Sequence, residues 1–257
     1  MPPILGREPY LTVLRDGTLF ATVHLLAQDV RNRDGYTHSY VHRSADRGRT
    51  WTTTRVGPEG FPGRAETLTS RNVLELPDGT LLLGVSDNRG NDSVWRSTDR
   101  GKTWDRSRRC DTSGFRSQYP YFGEAVLWRA RSGKILSIIR VDSKEHPMAG
   151  RPAPSGEWDH HDHMVVYQSA DGGATMRKAA DLGDYGEMYP SVLRLKDGRL
   201  LLTLTVRDLK APLGVQAVLG TESEDGFAFD FDHDRLVVEG RTPIGQPDAC
   251  RPADGSR

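Results

Sequence analysis

One octapeptide recurs along the chain and limits its fold more than any other feature. Ser44-Ala45-Asp46-Arg47-Gly48-Arg49-Thr50-Trp51 agrees with Ser97-Thr98-Asp99-Arg100-Gly101-Lys102-Thr103-Trp104 at six of eight places. A third copy, Ser169-Ala170-Asp171-Gly172-Gly173-Ala174-Thr175-Met176, carries Met where the others carry Trp. Ser223-Glu224-Asp225-Gly226, followed by Phe229, reads as a worn fourth copy. The three clear copies start 53 and 72 residues apart. A second element alternates with them: an apolar run, a tight turn, then another apolar run. The turns are Asp16-Gly17, Asp78-Gly79, Ser132-Gly133 and Asp197-Gly198. Such dipeptides between apolar runs predict hairpins, because glycine supplies the positive φ that the turn needs.

Each repeat therefore holds two hairpins, or four strands. Four-stranded units repeated around an axis are the blades of a β-propeller. No stretch sustains a 3.6-residue apolar period with caps, so helix should be scarce. The 27 glycines and 15 prolines among 257 residues agree with many turns. The inner strands, such as Leu81-Leu82-Leu83, are apolar without interruption. That suits the middle of a blade covered on both faces.

Charge and cysteine usage exclude other classes. Lys+Arg and Asp+Glu are both 35, a balance that argues against a nucleic-acid partner. No apolar run approaches the roughly 18 residues of a membrane span. Met1 to Pro9 lacks a charged segment leading into an apolar one, so no secretory signal is visible; if Met1 is the native start, the cytoplasm is the default compartment. Cys110 and Cys250 form neither a disulfide framework nor a zinc spacing.

The octapeptide resembles the Asp-box, or bacterial neuraminidase repeat, and the chain is similar to the sialidase superfamily over about residues 5 to 240. The resemblance implies an all-β, sialidase-like β-propeller. Sialidases have six blades and this chain supplies about four, so it is a fragment or an incomplete ring that partner chains would close. Open blade edges favour self-association. The propeller is expected over residues 1–240, with 241–257 as a disordered tail, since almost no apolar residue occurs there. The boxes themselves read as structural. Their Ser and Asp side chains can bond nearby backbone N–H groups, which makes Asp46, Asp99 and Asp171 turn-formers rather than general acids. In the family the boxes lie on the face away from the active site.

Sialidase chemistry requires arginines for the substrate carboxylate, an acid/base aspartate, and a tyrosine nucleophile activated by a glutamate. Arg7-Glu8-Pro9 resembles the Arg-Ile-Pro motif that carries the first such arginine, with Glu8 in place of Ile, where it could pair with Arg7. The bland alternative is a surface arginine before a strand. The acid/base falls in the loop from Gln28 to Gly35, which offers Asp29 and Asp34, although the spacing lands nearer Asn32. Glu124 precedes Gly133 by nine residues and Arg140 follows it by seven, the offsets of the family's activating glutamate and second arginine. A structural salt bridge would explain the same pair.

Tyr189 also lies nine residues before its turn glycine, Gly198, in the frame of the nucleophile, and Arg207 is the third arginine candidate. Family order places the tyrosine after that arginine, whereas Tyr189 precedes Arg207, so a packed aromatic is the alternative. Trp158 to His163 is rich in metal-ligand types, with His161 and His163 alternating, but a rim loop facing substrate accounts for it equally. Arg106, Arg108 and Arg109 read as a solvated turn.

The resemblance thus implies an exo-sialidase-type glycoside hydrolase acting without cofactor or metal on glycans with an acidic terminal sugar. Two alternatives stay open. One is a glycan-binding propeller without catalysis; the other is a lyase or glycosidase on acidic polysaccharide, with Tyr189 and His24 or His161 moving protons.

Overall fold

A computed structural model describes residues 6–57, 66–87, 92–111, 122–141, 161–207 and 212–241. Among these, every regular element is a β-strand, and no helix is long and apolar enough to cross a membrane. The expected tail lies outside the described residues except for Arg241, which ends the last strand, and Cys250 lies outside them as well.

Four sheets follow one another along the chain. The first has the order β1 (Arg7–Val13), β2 (Leu19–Leu25), β3 (His38–Ser44), β4 (Thr52–Val56). In the second, β5 (Thr67–Thr69) and β6 (Leu74–Glu75) both pair with β7 (Leu81–Asp87), which leads to β8 (Asp92–Ser97) and β9 (Arg109–Cys110). The third runs β10 (Val126–Arg129), β11 (Ile135–Val141), β12 (His163–Ser169), β13 (Arg177–Leu182). The fourth runs β14 (Glu187–Arg194), β15 (Leu200–Val206), β16 (Leu213–Glu222), β17 (Phe227–Phe229), with β18 (Arg235–Arg241) also on β16. These meanders are four blades of a β-propeller, as the repeats predict. They fall into two units. The first comprises Met1–Val141, Val165–Ala180 and Ser223–Gly226; the second comprises Asp142–Met164, Asp181–Glu222 and Phe227–Arg257.

Within the first unit the apolar runs have a direct packing reason. Leu81, Leu83 and Val85 of β7 join a core with Phe20, Val41, Val56 and Trp95 from the first and second sheets. Leu82, pointing the other way, joins Val94, Phe122, Leu127, Ile135, Ile139 and Tyr167. A strand that alternates its side chains between two cores has no polar face, so its sequence loses the period of two. The first sheet differs at its inner edge, where Leu11 and Val13 of β1 remain exposed.

The octapeptides connect the third and fourth strands of the first three sheets, and all three close in the same way. Ser44, Ser97 and Ser169 each accept the N–H of the glycine four residues on, at 2.8, 2.8 and 2.7 Å. Each serine hydroxyl donates to its aspartate at 2.8, 2.8 and 2.7 Å. Each aspartate then accepts the amide N–H of Thr50, Thr103 or Thr175 at 2.8, 2.9 and 2.9 Å, and its second oxygen takes the threonine hydroxyl. These donors, the Thr50 hydroxyl first, hold the Asp46 carboxyl down at about 2. Asp99 is held lower still, chiefly by Thr103. At Asp171 burial pushes upward, but the Thr175 and Ser169 bonds prevail and leave it at about 2.

The worn copy behaves differently. Ser223 donates its N–H to Gly226 at 3.0 Å, and Asp225 accepts from Lys134 at 2.8 Å rather than from a threonine of its own loop. Arg106 of the basic turn lies over the Trp95 ring at 4.5 Å.

The last octapeptide residue anchors the loop to the core. Met176 is buried, and half-buried Trp104 meets Phe20 edge-on at 6.3 Å. Trp104→Ala should therefore cost about 3 kcal/mol in denaturant unfolding, and any glycan affinity of the folded protein should be unaffected.

Candidate functional site

In an up-and-down meander, the turns between strands one and two and between three and four lie at one end. The octapeptides and the turn dipeptides therefore share that end in each of the first three blades. The start of the first strand and the end of the second lie at the other. At this other end three non-glycine residues adopt left-handed backbone: Glu8 (φ 52°), Glu124 (φ 58°) and Tyr189 (φ 59°). Each stands nine residues before its turn glycine, Gly17, Gly133 and Gly198. In β1 the register shifts between Arg7 and Tyr10, and in β14 between Met188 and Ser191, so Glu8 and Tyr189 occupy bulges. Such backbone costs on the order of 1–3 kcal/mol and concentrates at working sites. Sequence reasoning found Glu124 and Tyr189 in this frame and treated Glu8 only as a neighbour of Arg7. Counting nine residues back from Gly17 was the signal that would have found it.

The first unit gathers a charged group around Glu8. Arg71 Nη2 donates to Glu8 Oε2 at 3.1 Å. Arg140 Nη1 stands 3.8 Å from Glu124 Oε2, and both side chains are largely buried. Arg7 Nη1 stands 3.7 Å from Asp29 Oδ1. Burial raises the Glu8 carboxyl above its ordinary range and the Glu124 charge raises it further, against the pull of Arg71, Arg140 and Arg7. Arg71 belongs to the group because its N–H bonds Ala125 O at 2.7 Å, which ties the start of the second blade to the third. No sequence motif marks it.

His24 lies opposite Arg7 in the β1–β2 register and is buried. Its Nδ1 meets Ser39 Oγ at 2.7 Å, and that oxygen also accepts the Thr69 N–H at 3.3 Å. Burial pushes the imidazole down to about 4, with the Glu124 charge opposing and Arg71 assisting. The ring is therefore neutral near pH 7.

The structure places the other loop candidates elsewhere. Asp34 pairs with Arg55 at 2.8 Å. Asn32 Nδ2 donates to the carbonyls of Leu26 and Tyr36, both at 2.8 Å, so it holds the loop together. Asp29 is the loop residue beside Arg7, and it also accepts the Leu26 N–H at 2.9 Å.

In the second unit, the Arg207 guanidinium lies over the Tyr189 ring at 5.6 Å, and its backbone N–H bonds Gly186 O at 2.8 Å. Beside them in sequence, buried Glu187 accepts from Arg235 at 2.8 Å and from the Asp184 N–H at 2.9 Å. His163 pairs with Asp181 at 3.1 Å and rests against Tyr185, while His161 is buried 3.8 Å from Asp162. Trp158, Asp159 and His160 lie outside the described residues. Among the described residues no group of three His, Cys, Asp or Glu side chains is arranged to hold a metal ion.

No protein-family model matches the chain, and no curated protein matches it. Solved structures do. A protein of unknown function from Dyadobacter fermentans is 21% identical, with TM-score 0.57 over 84% of this chain and 60% of its own. The α-L-arabinofuranosidase Arb93A from Fusarium graminearum, solved with an iminosugar inhibitor, is 15% identical, with TM-score 0.54 over 89% of this chain and 67% of its own. A variant of the NanB sialidase from Streptococcus pneumoniae is 10% identical, with TM-score 0.58 over 94% of this chain and 53% of its own. The fold is thus the β-propeller found in sialidases and in other glycosidases. The chain spans between about half and two thirds of the length of these three structures.

The buried His24 generates a pH dependence with a definite sign. Its folded-state value lies below the ordinary 6.5, so the unfolded chain takes up the proton first. Its contribution to stability is level above pH 6.5 and declines as pH falls from 6.5 toward about 4. The loss over that window should reach about 3 kcal/mol. Urea unfolding of the wild type against His24→Gln should show a difference that narrows with acidity in that range.

Proposed function

We propose that this chain is a sialidase-like glycoside-hydrolase propeller that takes a terminal acidic sugar at Arg7, Arg71 and Arg140. The observation that carries this reading is the field of three guanidiniums on one half-buried glutamate within a single unit. Guanidinium forks match a carboxylate in shape and stay charged when desolvated, so such a group suits an anionic sugar. In this reading Asp29, beside Arg7, protonates the leaving glycosidic oxygen. Glu124, paired with Arg140, is the carboxylate available as a proton acceptor. The tyrosine that the sialidase scheme requires has its candidate in Tyr189, so Tyr189→Phe is the variant to assay. The scheme calls for no cofactor or metal.

A second reading rests on one observation. Glu8 and Glu124 share the left-handed frame, and the charge of Glu124 acts on Glu8. A carboxylate pair serves glycosidases of neutral sugars, and an arabinofuranosidase is among the similar folds. Turnover of an aryl α-L-arabinofuranoside, with none of an aryl α-sialoside, would select this reading.

Calorimetry with sialic acid tests the first. Arg140→Ala should weaken binding by roughly 2–4 kcal/mol, the cost of truncating one partner of a desolvated charge pair. Arg140→Lys should fall between Ala and wild type, because an ammonium cannot form the bidentate fork. Unchanged affinity in a folded Arg140→Ala protein would remove the carboxylate clamp and leave a structural salt bridge.

A further inference from the structure

The charge of the first-unit group contains its own balance. Three guanidiniums, Arg7, Arg71 and Arg140, face three carboxyls, Asp29, Glu8 and Glu124. With all of them ionised the group is neutral and offers no net attraction to a sugar carboxylate. Two of the carboxyls sit at contacts that make them poor candidates for release. Asp29 also bonds the Leu26 N–H in its own loop, and Glu124 is largely buried beside Arg140. Glu8 is different. It is about one-third exposed, stands on a bulge, and has its 3.1 Å contact with Arg71.

We propose that Glu8 is a built-in competitor for the anion site: its carboxylate holds the Arg71 guanidinium, and a sugar carboxylate binds by taking its place there. The inference rests on the reading of Arg7, Arg71 and Arg140 as a carboxylate site. The contact Glu8 makes is the one a ligand carboxylate would make, a charge-assisted bond to a largely buried guanidinium. Its left-handed backbone at the β1 bulge sets its position there. Once Glu8 gives up Arg71 and accepts a proton, the group carries one net positive charge, which matches a sugar with a single carboxylate.

The proton is available because burial and Glu124 already raise the Glu8 carboxyl, and the arginines alone restrain it. A bound carboxylate adds a further negative neighbour and engages those arginines, so it drives Glu8 toward the neutral form. The other groups around it are the guanidiniums of Arg7, Arg71 and Arg140, which stay charged, and His24, which is neutral above about 4. Glu124 and Asp29 face it beside arginines of their own, Arg140 and Arg7. Anion binding and proton uptake at Glu8 are therefore linked, and linkage is reciprocal.

The test is calorimetric titration of the folded chain with sialic acid from about pH 5 to about pH 8, in buffers of different ionisation enthalpy. Wild type should take up protons as it binds the sugar, and its affinity should fall with rising pH, at most about tenfold per unit. Glu8→Gln should bind roughly tenfold or more tightly near pH 7.5 and lose both the proton uptake and the pH dependence. Glu8→Asn, which tolerates left-handed backbone, should do the same and guards against a folding defect. Variants that bind no more tightly than wild type, with proton uptake intact, would overturn the competitor. If Arg71→Ala then abolishes binding, the acidic-sugar reading survives without it. If wild type and both Glu8 variants ignore sialic acid at every pH, both proposals fall together.

Discussion

The burial of β7 between two cores is the constraint on which the first unit depends. Leu81, Leu83 and Val85 face one core and Leu82 the other, so β7 is anchored on both faces. An apolar strand in that position fixes where its neighbours run, because β6 and β8 pair with it in defined register. Once the middle of a blade is fixed, the start of the first strand and the end of the second are brought to one end. The register Val126↔Ile138 continues two residues outward to set Glu124 beside Arg140. Apolar packing thus positions charged groups that it never touches.

Electrostatics then decides what those groups can do. The residues at this end are desolvated enough for their charges to act on one another, and each guanidinium has a carboxyl within 4 Å. A largely buried pair such as Glu124–Arg140 is weak evidence for stability, because desolvation offsets much of its attraction. Left-handed backbone at Glu8 and Glu124 adds a further cost. The proposed anion site therefore falls on a stretch that carries both costs.

Much of the blade pattern was legible in the sequence because it repeats. The octapeptides, the turn dipeptides and the inner apolar runs each report a local constraint, and each appears three or four times. The Glu124–Arg140 pairing was legible for the same reason, since one hairpin contains both. Arg71 was not legible, because its place depends on a bond to Ala125 in another blade. Glu8 was hidden by the resemblance of Arg7-Glu8-Pro9 to a motif whose middle residue is apolar. Of the loop candidates, Asp29, Asn32 and Asp34 differ only in which partners they meet after folding. Spacing alone could not separate them. Tyr189 was read as the nucleophile candidate and Arg207 as the third carboxylate-binding arginine, and within the second unit the Arg207 guanidinium lies over the Tyr189 ring.

The two ends of a blade treat the same chemical group in opposite ways. At the octapeptide end, exposed Asp46 accepts hydrogen bonds from Thr50 and Ser44, which stabilise the charged form and hold it down at about 2. At the other end Glu8 is partly desolvated and beside another carboxylate, and its charged form is disfavoured. A carboxylate saturated by local donors cannot exchange protons near neutral pH, however well exposed it is. One held mainly by arginines can, and it does so whenever another anion competes for them. Of these two carboxyls it is therefore Glu8, held by guanidiniums rather than by hydrogen-bond donors of its own loop, that is placed to exchange a proton.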